Sequence, residues 1–441
     1  MFQGFSARIE SLGPVRSLFL GYLVYGAIGW ALLSLPWMTE AGASVAPLDN
    51  LFTAFSAMST TGLATVSTPT SYSFVGELVV LLLIQVGGLG YMTMGSFILM
   101  ATKRLPTQRA RVAEAGFSLP KNVRVSTFLR RVVIYTLGVE FAGAVLLYLA
   151  FSRAGVDGAL WQAIFHSVSA FCTAGFSLFP DSLEGFRTDF AVNAIIAALS
   201  LAGAIGFLVV HDAVNAATDP NHRITLTTRV ILTTTFWVIA AGTAVMFLAE
   251  PAFFGMTAEA RLMTSFFQAM TALTTVGFNT YPIGSLAAPM VFGMLLLMIL
   301  GASPAGTGGG LKSTSVSTAL AAAGSALRGQ DHISFRGCEI PQHRIMNAYA
   351  ALVFYVGTLA LGCFLLLLLE SFPFEDVVFE AASALGTVGL SRGITGDLQP
   401  LSKLIIVVMM FIGRLGPLTF GLAMFRPANP DDAPRREDLA V

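Results

Sequence analysis

Charge is scarce in this sequence: 11% of its 441 residues are Asp, Glu, Lys or Arg, and they cancel to a formal net charge of zero. A soluble domain carries roughly 25% charged residues, so the shortfall excludes an ordinary water-facing surface. The neutral balance also lacks the basic field that binding nucleic acid requires, so no nucleic-acid partner is expected. Cysteine is scarce too. Cys172, Cys338 and Cys363 lie far apart, with neither a disulfide framework nor metal-ligand spacing. The five histidines (His166, His211, His222, His332, His343) are scattered, and the His-Asp pair at 211–212 stands alone. That removes the constellation a polytopic membrane enzyme would need.

What is present is apolar sequence, 55% of the chain. Eight runs are long enough to span a bilayer: 17–37, 74–101, 131–152, 190–214, 229–249, 288–321 (interrupted), 346–369 and 402–425. Each is near the roughly 20 residues a helix needs to cross a hydrocarbon core of about 30 Å. The first run has no small-residue cleavage pattern after it and reads as a retained helix rather than a secretory signal. The runs pair up, and between the members of each pair lies a weakly apolar stretch of about a dozen residues, too short to span and suited to a re-entrant pore helix. The expected fold is therefore an all-α membrane protein of eight spans in four helix–pore loop–helix repeats around a central pore. Their limits are 17–101, 128–215, 228–323 and 345–425, with a basic loop at 102–127.

The basic residues orient this bundle. Of the 25 Lys and Arg, 18 fall in the loop 102–131, in the later loops holding Arg223, Arg229, Arg328, Arg336 and Arg344, or at the termini. The other side receives only Arg153, Arg187, Arg261, Arg392 and Lys403. The positive-inside bias makes both termini cytoplasmic and puts the re-entrant stretches on the outer face.

Those stretches repeat one another. They read FTAFSAMSTTGL (52–63), FHSVSAFCTAGF (165–176), FQAMTALTTVGF (267–278) and FEAASALGTVGL (379–390). All fit one frame: Phe, three residues, Ser or Thr, Ala, two residues, Thr, any residue, Gly. The final triplets are Thr60-Thr61-Gly62, Thr173-Ala174-Gly175, Thr275-Val276-Gly277 and Thr387-Val388-Gly389. A dehydrated cation in a bilayer needs oxygens to replace its water, and four converging segments supply rings of backbone carbonyls. Turning carbonyls inward demands backbone angles that glycine accepts at low cost. The threonine hydroxyl adds a ligand or braces the loop. The negative C-terminal end of each short helix favours a cation. Glycines that merely let helices pack would not recur four times behind the same Phe and Ser/Thr-Ala.

These residues resemble the Trk/Ktr/HKT superfamily of potassium transporters, over roughly Ser17 to Phe425. QVGGLGYMT (85–93), GASPAGTGGGLKST (301–314) and MFIGRLGPLTF (410–420) extend the likeness, which is greatest to the Ktr-type subunit. The resemblance implies potassium uptake across the cell inner membrane, with the twelve triplet residues as the potassium-binding filter. It also implies a homodimer seated on a cytoplasmic ring of nucleotide- and NAD-binding regulatory subunits. No dinucleotide fingerprint occurs here, because the GTGGG run interrupts a span and follows no strand, so no organic cofactor is expected in this chain. Sodium is the second candidate ion, as cargo of a less selective transporter or as the driving ion of a symporter, as is the proton. Gly62 stands where sodium-selective relatives have serine.

One proline and five glycines between Gly301 and Gly310 cannot hold a regular helix, and unwound backbone at membrane depth must be covered by protein or line a cavity. The loop is expected beneath the filter as a gate, as in the family, with Gly306, Thr307, Gly308, Gly309, Gly310 and Lys312 as its parts. Arg414 either reaches that loop's carbonyls or snorkels to the cytoplasmic face, and snorkelling is the first expectation for Lys312. His166 and Gln268 are expected to support the pore helices rather than bind ions. Glu140, mid-span, is expected to bond to a neighbouring helix.

Overall fold

In this computed structural model, residues 14–102, 125–330, 332–335 and 337–424 are described. The basic segment 103–124, Arg336 and the arginines at 8, 426, 435 and 436 lie outside them. Helices of eight residues or more carry most of the described chain. They are α1 (Pro14–Leu33), α2 (Pro47–Met58), α3 (Phe74–Thr102), α4 (Val125–Arg153), α5 (Ala159–Phe171), α6 (Phe190–Ile205), α7 (Phe207–Thr218), α8 (Leu226–Ala249), α9 (Ala258–Thr274), α10 (Ala288–Leu300), α11 (Ser313–Leu327), α12 (Gln342–Leu369), α13 (Phe374–Gly386), α14 (Pro400–Leu415) and α15 (Pro417–Met424). A two-residue antiparallel pair, β1 (Ser334–Phe335) and β2 (Cys338–Glu339), turns the chain before α12.

Local sequence explains where these helices start. Pro47, Pro289 and Pro400 stand at first-turn positions, where the missing N–H costs nothing. Side chains of Asp189, Thr225 and Thr257 cap α6, α8 and α9 by accepting from Val192, Thr228 and Ala260 N–H.

Among the described residues, α4, α8, α12 and Arg16–Leu33 of α1 are long and apolar enough to cross a membrane. The pair α6–α7 is a fifth candidate, bent by 90°. Phe74–Gly90 and Ala288–Leu300 are shorter apolar helices. The helical surface is apolar as well: Phe141, Phe190 and Val353 are each more than 70% exposed. Large apolar side chains standing outward in such numbers suit lipid rather than water.

Three expected runs are broken. The interruption in 288–321 falls at 301–312, as its glycines require. The other two breaks were not expected. The run 190–214 stops at Gly206 (φ 86°, ψ 160°), which redirects the chain into α7. The run 402–425 stops at Gly416 (φ 82°), ahead of Pro417. These glycines take up backbone angles that a Cβ resists, and Pro417 has no N–H to continue the helix.

The packing closes on itself. Each short helix (α2, α5, α9, α13) packs between the longer helices before and after it. In addition α3 packs on α5, α6 on α9, α10 on α13, and α14 returns to α2. Three of these contacts need glycine: a Cβ on Gly87, Gly203 or Gly413 would lie 2.2, 1.9 or 2.2 Å from the carbonyl oxygen of Met58, Phe171 or Leu385. Each of those carbonyls stands two residues before the repeat's threonine. This gives a physical reason for the glycines in 85–93 and 410–420.

Candidate functional site

The four frames fold alike. Thr60, Thr173, Thr275 and Thr387 all take left-handed backbone angles (φ 50–58°), and Gly62, Gly175, Gly277 and Gly389 follow at φ 66–95°. Positive φ at four threonines is uncommon for a β-branched residue and persists only where its surroundings enforce it. The frame's Ser or Thr supplies part of that enforcement. Ser56, Ser169 and Thr271 hydroxyls donate to Leu63, Phe176 and Phe278 O at 2.7, 2.8 and 2.7 Å. Ser56 and Ser383 Oγ also accept from Gly62 and Gly389 N–H at 3.1 and 3.0 Å. These hydroxyls therefore staple each loop shut rather than merely sparing room between segments. Thr271→Val is expected to lower the melting temperature of the detergent-solubilised protein, at a cost of about 1–3 kcal/mol for the carbonyl left unpaired.

The loops meet in order around one axis. A Cβ on Gly62 would lie 2.4 Å from Ala174 O, and one on Gly175 would lie 2.5 Å from Val276 O. On Gly277 it would meet Val388 O at 2.2 Å, and on Gly389 Thr61 O at 2.1 Å. The sequence of neighbours runs first to second to third to fourth to first. All twelve triplet residues thus come together in a closed ring. Above it opens a cavity of about 270 Å³ lined by the four glycines and by polar residues including Ser177, Asn279, Ser391 and Thr395.

The threonine side chains face the broken third-repeat segment. Thr173 Oγ1 meets Thr307 Oγ1 at 3.1 Å, and Thr387 Oγ1 accepts from Gly309 N–H at 2.9 Å. Thr275 Oγ1 faces Gly308, where a Cβ would lie 2.3 Å from it. Thr60 Oγ1 accepts from Arg414 Nη1 at 2.7 Å. Thr307, Gly308 and Gly309 thus pass under three threonines in turn, and Arg414 completes the fourth quarter.

Backbone bonds hold this segment on both flanks. Ser303 and Thr307 N–H donate to Ala204 and Gly203 O, Phe207 N–H donates to Ala305 O, and Gly310 N–H donates to Gly413 O. The break at Gly206 therefore has a use: it frees the chain to bond to the loop. Arg414 is fully buried, and its guanidinium also donates to Thr307 O and Gly87 O. It reaches the loop's carbonyls, the first of its two expected positions. Lys312 does not snorkel; its Nζ donates to Gly308 O at 2.6 Å and Gly309 O at 3.1 Å.

The profile of the TrkH family, described as a cation transport protein, matches residues 30–432. This chain belongs to the TrkH family of cation transport proteins. Ktr system potassium uptake protein B of Bacillus subtilis is 36% identical over 416 residues, covering 92% of each chain. The protein of that name from Vibrio alginolyticus is 34% identical over 415 residues, covering 93% of this chain and 90% of its own. The potassium/sodium uptake protein NtpJ of Enterococcus hirae is 30% identical over 436 residues, covering 96% and 95%. The crystal structure of the potassium transporter TrkH from Vibrio parahaemolyticus superposes with a TM-score of 0.77, at 19% identity, over 93% of this chain and 84% of that one.

As a TrkH-family member the chain is a membrane-embedded cation transporter, not an enzyme. Among the described residues no three His, Cys, Asp or Glu side chains group as a metal site. His166 and Gln268 do support their loops: His166 Nε2 meets Ser177 Oγ at 2.9 Å and Gln268 Nε2 donates to Tyr281 O at 2.9 Å. Glu140, on α4, accepts from the Cys172 thiol at 3.7 Å, at the C-terminal end of α5. Sequence reasoning passed over Glu380, buried in the corresponding place of the fourth repeat. Its signal was positional, since it follows the frame's Phe as His166 and Gln268 do.

Proposed function

We propose that this chain takes up potassium across the cell membrane, through a pore of four repeats and eight crossings whose filter is the ring at Gly62, Gly175, Gly277 and Gly389. The observation that carries the reading is the closed order of neighbours at those glycines, each beside the next loop's carbonyl. A ring of carbonyls at a crossing point in lipid replaces the hydration shell of a monovalent cation. The names of the Ktr relatives favour potassium as that ion. The repeats are 17–101, 128–215, 228–323 and 345–425, and the triplets Thr60–Gly62, Thr173–Gly175, Thr275–Gly277 and Thr387–Gly389 bind the ion.

Gly306–Gly310, Lys312 and Arg414 form the gate in this reading. A loop lying under three of the threonines, with Arg414 under the fourth, obstructs an ion leaving the ring, and its glycines let it move. Both termini are cytoplasmic, the functional unit is a homodimer, and a cytoplasmic nucleotide- or NAD-binding ring controls the gate. Uptake follows the membrane potential, which contributes about 2.3 kcal/mol per charge per 100 mV. Sodium is the second reading, favoured by the potassium/sodium relative from Enterococcus hirae; there it enters as a competing cargo.

The test is uptake of rubidium, a potassium surrogate, by liposomes containing the purified chain under an inside-negative potential. Potassium is expected to compete more effectively than sodium, and equal competition supports the second reading. Lys312→Ala is expected to raise that uptake by about tenfold, the equivalent of about 1.4 kcal/mol of its bonding to the loop being specific to the closed state.

A further inference from the structure

The residue after the frame's Phe differs in every repeat: Thr53, His166, Gln268 and Glu380. All four are buried behind their loops. Glu380 alone carries a carboxylate, and its hydrogen bonds are the most concentrated. Glu380 Oε1 accepts from Thr395 Oγ1 at 2.9 Å and from Ser391 Oγ. The two hydroxyls also meet each other at 2.9 Å. Ser391 stands two residues beyond Gly389, as Ser177 does beyond Gly175.

The limb held in this way shapes the outer mouth. Ser391, Gly393, Thr395 and Gly396 line the cavity above the four glycines. The same limb reaches both neighbouring repeats: a Cβ on Gly284 would lie 3.0 Å from Arg392 O, and one on Gly396 would lie 3.6 Å from Thr65 O. Glu375 and Asp376, on the same helix as Glu380, are both engaged by Arg392, so neither competes for the two hydroxyls.

We propose that Glu380 is a positioning residue that determines specificity at the fourth loop: its carboxylate, through Ser391 and Thr395, fixes the limb beyond Gly389 and thereby the preference for potassium over sodium. The proposal rests on the reading of the four loops as a filter. A carboxylate oxygen accepts from both hydroxyls at once, each having one proton to give, so the two are drawn to one point. Glutamine keeps an accepting oxygen but not the carboxylate's charge, so both bonds weaken, and its amide brings a new donor into the buried site. Whether cavity size or carbonyl field sets the preference, both depend on where the carbonyls stand. A loosened limb lets the ring contract around the smaller sodium ion.

The experiment compares wild-type protein, Glu380→Gln and the double variant Ser391→Ala/Thr395→Val in liposomes. It reads the KM for rubidium and the sodium concentration that halves uptake. In both variants KM is expected to rise about tenfold and the half-inhibiting sodium concentration to fall about tenfold, the effect of losing one hydrogen bond to a charged group. A merely structural role lowers only the maximal rate, and wild-type values of both constants in the variants would overturn the proposal. Wild-type uptake measured alongside keeps the filter reading separate, since it stands in that case. If Glu380→Gln does not reconstitute, the double variant decides alone, because it removes the donors from the limb and leaves the residues of α13 unchanged. Absence of rubidium uptake by the wild type overturns the filter reading and this proposal together.

Discussion

Replacing Arg414 with alanine is expected to raise rubidium uptake by liposomes that hold this chain alone, by up to about 100-fold. The guanidinium ties three parts of the molecule to one point: Thr60 of the first loop, Thr307 of the broken segment and the Gly87 carbonyl of α3. Hydrogen bonds to a charged group contribute roughly 1.5–3 kcal/mol each. Losing about 3 kcal/mol from the closed arrangement alone shifts the open-to-closed ratio about 100-fold, at about 1.4 kcal/mol per tenfold. Lysine does not restore the wild-type rate, because an ammonium is a point charge without the planar fork that reaches three acceptors. Deleting 304–309 is expected to act in the same direction, since in the proposed reading that segment is the obstruction. Initial rates of tracer uptake, normalised to the protein incorporated, measure both variants. Unchanged rates in both remove the gate from the account.

The second large effect lies in the ring. Gly389→Ala is expected to abolish rubidium uptake, with a loss of more than about 100-fold. The added methyl meets Thr61 O at 2.1 Å, well inside contact distance, while φ 90° is itself unfavourable for alanine. Strain at a left-handed position costs about 1–3 kcal/mol. Neither neighbour can yield, because Thr61 O and Gly62 Cα belong to the backbone of the next loop. The result is a displaced carbonyl or an occluded axis. Gly62→Ser places the same methylene 2.4 Å from Ala174 O and is expected to reduce potassium preference, read as stronger inhibition of rubidium uptake by sodium. Uptake with wild-type constants in both variants would show that the ions pass elsewhere.

The sequence exposed most of the candidate site. Four copies of one frame located every triplet that the structure gathers into a ring, and the run of glycines at 306–310 located the unwound segment. The local grammar of glycine and proline also contained the break at Gly416, since a Gly-Pro pair inside an apolar run is a stop signal. Hydropathy alone read through it. Gly206 was less legible, being one glycine in an apolar stretch where glycine commonly packs helices.

Long-range order was not legible at all. Thr173 and Thr307 are separated by 134 residues, and Arg414 and Thr60 by 354. No periodicity encodes which threonine meets which part of the loop. Arg414 could not be decided between two positions because both begin from the same place on α14, and only tertiary packing supplies Thr60 and Thr307 as partners. Lys312 was misjudged for a related reason. Its nearness to the cytoplasmic end favoured snorkelling, but the loop's own Gly308 and Gly309 carbonyls receive its Nζ. Glu380 went unread because a single carboxylate on a short helix has no pattern until its counterparts His166 and Gln268 are seen at work.

Potential-driven rubidium uptake into liposomes containing only this chain, with the Arg414→Ala form beside the wild type, tests the central claim most directly. The account predicts saturable uptake in both, faster in the variant, and competed more strongly by potassium than by sodium. Uptake no greater than that of empty liposomes, in both forms, would contradict it.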